Sequence, residues 1–134
     1  MEATMSNRYS FGKTVALPFD RARERITEEL ARVGFGILTE IDVQATMKKK
    51  LDLDMPPYRI LGACNPQFAS RALAVEPAIG ALLPCNVVVR QDDVGAVHVE
   101  VMDPYAVLTL VDRPEVGALA TEVRSRLEQA LAKV

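Results

Sequence analysis

The stretch CNVVVRQDDVGAVHVEVM, residues 85–102, decides the fold. Its residues alternate with the two-residue period of a half-buried strand, Cys85, Val87 and Val89 on one face and Asn86, Val88 and Arg90 on the other. Past a turn, Val97, Val99 and Val101 alternate with His98, Glu100 and Met102. Matching the two valine faces demands an even offset, because a one-residue slip turns every side chain to the wrong side. Pairing Val89 with Val99 and Val87 with Val101 leaves Asp93-Val94-Gly95 as the loop of a hairpin. Glycine at the third loop position suits the left-handed backbone that such a hairpin needs. The register sets Arg90 beside His98, Val88 beside Glu100, and Cys85 near Asp103.

Upstream of the hairpin, Tyr58 to Cys64 reads as a strand with Tyr58, Ile60, Gly62 and Cys64 on one side. That phase puts Cys64 on the same covered face as Cys85, Val87 and Val89. Asn65-Pro66 follows, a good cap and a favoured first residue, so a helix begins there and buries Phe68, Ala69, Ala72 and Leu73. Further back, Arg8 to Ala16 alternates as a strand, and Ala22, Ile26, Leu30 and Val33 form the stripe of a helix that ends at Gly34. Phe35, Ile37 and Ile41 give another strand, and Asp42 caps a short helix carrying Val43, Met47 and Leu51. Downstream, Asp103-Pro104 repeats the cap-plus-proline signal. Tyr105 to Val111 is then a short helix or, given its β-branched content, a sixth strand. Val116, Leu119, Val123, Leu127, Leu131 and Val134 make the stripe of a long last helix.

The pattern predicts a two-layer α+β sandwich: a mixed or antiparallel sheet of about five strands with helices on one face. At 134 residues the chain is one domain, residues 1–134, with 1–7 a flexible N-terminus. Sixteen basic against eighteen acidic residues leave no footprint for nucleic acid. There is no apolar leader, and the longest apolar stretch, Ala106 to Val111, is far short of a membrane span. The expected location is the cytoplasm, where Cys64 and Cys85 stay as free thiols. With a single histidine and no closely spaced ligand pairs, the sequence implies no metal. It carries no phosphate loop, dinucleotide fingerprint or serine elbow, and so implies no cofactor.

Two constellations remain. Cys-Asn occurs twice, in GACNP (62–66) and LPCNV (83–87). A cysteine before a helix start sees oriented N–H groups that favour thiolate, which makes Cys64 the candidate reactive thiol and Cys85 its partner. Buried free cysteine is also ordinary packing material. Parallel strands would put the two thiols at opposite ends of the sheet, antiparallel neighbours at one end, and the sequence leaves both open. His98, beside Arg90 and two residues from Glu100, is either a base oriented by a carboxylate or an interface histidine.

At YRILGACNP (58–66) and LLPCNVVVR (82–90) the chain resembles the bacterial and archaeal family called domain of unknown function 302. The likeness runs from GFGIL (34–38) through EPAIGALLPCN (76–86) to MDP (102–104) and the last helix. It implies a compact dimeric α/β domain and brings no activity, substrate or cofactor, so no catalytic residue is carried over.

The leading reading is a small-ligand-binding or thiol-redox accessory domain, its candidate site being Cys64, Asn65, Cys85, Asn86 and Asp103. The other is a non-catalytic module that acts as a homodimer through the uncovered sheet face. That face is assigned Arg59, Leu61, Val88, Arg90, His98, Glu100 and Met102. Its mixture is too apolar for free solvent and too charged for a sealed core.

Overall fold

The computed structural model describes residues 4–134. In chain order it forms β1 (Thr4–Ser6), β2 (Ser10–Val15), α1 (Phe19–Arg32), β3 (Gly36–Asp42), α2 (Val43–Leu51), β4 (Tyr58–Cys64) and α3 (Pro66–Val75). A 3₁₀ turn (Pro77–Leu82), β5 (Cys85–Gln91), β6 (Val97–Met102), α4 (Pro104–Leu108) and α5 (Pro114–Ala132) complete it. The strands make one sheet in the order β1-β2-β6-β5-β4-β3, every neighbouring pair antiparallel. The α+β class and the antiparallel sheet are as the alternation predicts. The sixth strand comes from β1, inside the stretch read as a flexible N-terminus, while 104–108 is helical. The part of that N-terminal expectation on residues 1–3 lies outside the described residues.

The β5–β6 hairpin has the predicted register. Val89 pairs with Val99, Val87 with Val101, Arg90 with His98 and Val88 with Glu100. Gly95 turns the loop at φ +90°, a conformation that costs glycine nothing and other residues strain. On the far side of β6, Gly12 of β2 pairs with Glu100. A side chain there would run into the Val99 carbonyl and lie 2.9 Å from Glu100 Cα, so the close approach of β2 requires glycine.

One face of the sheet is sealed. Phe11 and Val15 of β2, Leu61 and Ala63 of β4, Cys85, Val87 and Val89 of β5, and the three valines of β6 are all buried. Against them lie Ala22, Ile26 and Leu30 of α1, and Val123, Leu127 and Leu131 of α5. A second cluster of Ala72, Ile79, Leu108, Val116 and Ala120 joins α3, the 3₁₀ turn and α4 to the first turns of α5.

The phase of β4 corrects the sequence reading. Leu61 pairs with Val87, Ala63 with Cys85 and Arg59 with Val89, so the odd-numbered residues face the helices. Tyr58, Ile60 and Gly62 fall on the uncovered face instead. Both alternation sets of this strand hold apolar residues, so period alone did not choose between them. Leu61, assigned to the uncovered face, is fully buried under the helices. Arg59 is on the helix side as well. It bonds Glu40, which also accepts from Arg23 of α1 at 3.2 Å, and it reaches Asp42 at 3.2 Å.

Candidate functional site

The antiparallel pairing of β4 and β5 brings the two Cys-Asn motifs to one end of the sheet. Cys85 sits opposite Ala63, one residue before Cys64, and both cysteines are free. Asn65 caps α3, its Oδ1 accepting from the backbone N–H of Gln67 at 3.1 Å and of Phe68 at 3.2 Å. Cys64, Asn65 and Cys85 line a small cavity with Phe35, Phe68 and Leu83. Its volume is about 40 Å³, room for a few waters and far below the several hundred Å³ of a site for an organic ligand.

Burial pushes the Cys64 thiol above its ordinary value. Cys85 is pushed up to about 12, first by burial and then by the neighbouring Cys64. The thiolate expected at the helix start is therefore not favoured. The Asn65 side chain already occupies N–H groups that would have stabilised it, and the surroundings of the sulfurs are apolar.

The other two candidates of that set lie elsewhere. Asp103 caps α4 through the N–H of Tyr105 at 2.9 Å and of Ala106 at 3.3 Å, and pairs with Arg124 of α5 at 3.3 Å. Asn86 is exposed and alternates onto the uncovered face of the sheet.

That face carries a groove of about 460 Å³. Tyr58, Asn86, Val88, Arg90, Glu100 and Met102 line it from the sheet, and Tyr9 and Val107 from outside the sheet. Among the interface candidates, Val88, Arg90, Glu100 and Met102 meet here, joined by Asn86 from the ligand set. Arg90 and Glu100 form a fork, Nε to Oε1 at 2.6 Å and Nη2 to Oε2 at 3.2 Å. The bond to Glu100 raises the Arg90 guanidinium further above its ordinary value. Beside the fork, His98 is held from both ends: Nδ1 lies 3.0 Å from Thr14 Oγ1 and Nε2 2.8 Å from Asp92 Oδ2. The His98 bond holds the Asp92 carboxyl below its ordinary value, helped by the Ala96 and Val94 amides.

Sequence reasoning placed Glu100 and Met102 on this face but missed Tyr9 and Val107, which arrive through tertiary packing. It also missed the His98–Asp92 pair, although the hairpin register brings those residues together. Among the described residues, no group of three or more potential ligands could hold a metal ion. No described helix is long and apolar enough to cross a membrane.

The family model described as domain of unknown function DUF302 matches residues 11–134. The chain belongs to the DUF302 family. Its fold is similar to the crystal structure of an uncharacterized conserved DUF302 protein from Bacillus stearothermophilus, with a TM-score of 0.85 and 30% identity. The match covers 92% of this chain and 96% of that one. No curated protein matches the chain. The DUF302 match begins at Phe11, within β2, and takes in both Cys-Asn motifs. It covers every sheet residue of the groove except Ser10.

Proposed function

We propose that this DUF302 domain is a non-catalytic binding module whose site is the groove on the uncovered sheet face. The observation that carries this is the contrast in room. The groove's volume falls in the range of small-molecule sites, whereas the thiol cavity is about a tenth of it. The lining also has the right character: apolar and aromatic surface from Val88, Met102, Tyr9 and Tyr58, with a few polar groups placed among it. The fork leaves the groove with no net charge from Arg90 and Glu100, which favours an uncharged ligand. Asn86 offers an amide donor and acceptor, and a guanidinium has five N–H groups, of which the fork uses two. The ligand class supported is a small, neutral, planar molecule with hydrogen-bonding edges.

Adenine and benzamide serve as probes in a titration followed by ¹⁵N and methyl NMR. A fragment of about ten heavy atoms is expected to bind with Kd of about 1 mM. Shifts should concentrate at the Asn86 amide and at the Val88 and Met102 methyls, and disappear in Val88→Asp. Perturbations scattered over the surface, or none at about ten times that concentration, overturn the assignment.

A further inference from the structure

The groove is long as well as roomy, and its two ends are alike. Tyr58, Arg90, His98 and Thr14 stand in one register row across β4, β5, β6 and β2. Tyr9 comes five residues before Thr14, and its carbonyl accepts from the N–H of Asp103 at 2.8 Å, which carries the β2–β6 ladder on to it. Both tyrosines line the groove, so it runs diagonally over the sheet from one to the other. Three strand spacings and five residues of rise set their Cα atoms about 20 Å apart.

Each end sets an aromatic ring beside hydrogen-bonding groups. Tyr58 neighbours Arg90, whose guanidinium keeps N–H groups that the fork with Glu100 does not use. Tyr9 stands next to the row of Ser10 and Met102, which Asn86 continues one residue on from the Val87–Val101 pair. Its ring is 66% exposed on the groove wall, a face for a flat group to stack against. An adenine or a benzamide reaches only one of these ends. About 460 Å³ is also room for a molecule larger than a single ring.

We propose that the ligand is a linear, uncharged molecule with a planar hydrogen-bonding group at each end, one stacked on Tyr9 and the other on Tyr58. This inference rests on the groove being the binding site, and adds the ligand's length and its second head. The middle of the groove sets the character of the segment that joins the heads. Its floor is Val88 and Met102, crossed by the Arg90–Glu100 fork. A charge on the joining segment would lie against apolar side chains or have to open a closed ion pair to find a partner. An uncharged chain crosses at no such cost.

The probes are benzamide and pairs of benzamides joined by uncharged ethylene-glycol linkers of increasing length, titrated against the ¹⁵N-labelled chain by NMR. Linking makes the second contact intramolecular, so the best linker should bind about 100-fold tighter than benzamide alone. The gain should be absent for linkers that hold the rings within about 8 Å, peak as the linker comes to span the groove, and fall for longer ones. At the peak, the Arg90 Nε–H and the Tyr58 ring should shift in addition to Asn86, Val88 and Met102. Tyr58→Ala should bring the linked probe to within about threefold of benzamide and leave benzamide binding as in wild type. The wild-type linker series decides the matter should Tyr58→Ala fail to fold. A gain that is absent at every length, or that does not vary with length, overturns the proposal. So does a gain that survives in folded Tyr58→Ala. The two readings separate in the same samples. Benzamide shifts at Asn86 without any gain from linking leave the groove standing as the site and remove the second head. No shifts with benzamide or with any linked pair remove both.

Discussion

The two faces of the sheet share their strands and obey different rules. On the helix side, Leu61, Val87, Val89, Val99 and Val101 are apolar and at 0% exposure, and charge enters only beside them, at Arg59 of β4 and Lys13 of β2. On the other side, one residue away along each strand, Ile60, Val88, Arg90, His98, Glu100 and Met102 are only partly buried, and the polar members satisfy one another. The first face is built to exclude everything, and the second to present a patterned surface. A one-residue step thus separates the core from the candidate site.

The contrast can be broken most sharply by matched truncations on β4. Leu61→Ala leaves a cavity among Val87, α1 and α5 and is expected to cost about 3 kcal/mol. Ile60→Ala, in dilute solution where no partner covers it, should cost about 1 kcal/mol or less. Urea denaturation of the two variants measures the difference, and equal costs would mean that the two faces are not distinct.

The same comparison applied to the two Cys-Asn motifs gives a smaller effect. Asn65 is buried and caps α3, so Asn65→Ala should lose about 1 kcal/mol. Asn86 is exposed and caps nothing, so Asn86→Ala should stay within about 0.5 kcal/mol while weakening probe binding in the groove. A stability loss at Asn86 as large as at Asn65 would show that the two motifs play one structural role.

The smallest effect expected lies at the hairpin on the open face. Asp92 has its carboxyl held below the ordinary value of 3.8 by His98. A depressed folded value means stability that is present above the unfolded pKa and lost as pH falls through the folded one. The urea midpoint of wild type should therefore exceed that of Asp92→Asn at pH 7, and the gap should narrow below about pH 4. A gap that is the same at both ends would show that Asp92 acts only through its turn hydrogen bonds to Val94 and Ala96.

Much of this molecule is legible in its local pattern. The β5–β6 register follows from matching Val87 and Val89 to Val101 and Val99 around a glycine that can turn. The starts of α2, α3 and α4 follow from Asp42, Asn65 and Asp103, whose side chains accept from the first free amides as expected of caps. These are interactions between residues a few positions apart, or across one tight hairpin, so the order of residues is enough to specify them.

Tertiary structure decided what depended on distant partners. Both phases of β4 are apolar enough to be buried, and pairing with Val87 beneath α1 and α5 selected Leu61 and Ala63 over Ile60 and Gly62. Antiparallel β4 and β5 brought Cys64 and Cys85 together, but the packing around them raised both thiols instead of activating one. The groove needed Tyr9 from before β2 and Val107 from α4 beside Tyr58 and Asn86. Burial and concavity arise from every element that packs at a point, and a strand's own alternation fixes only which residues share a side.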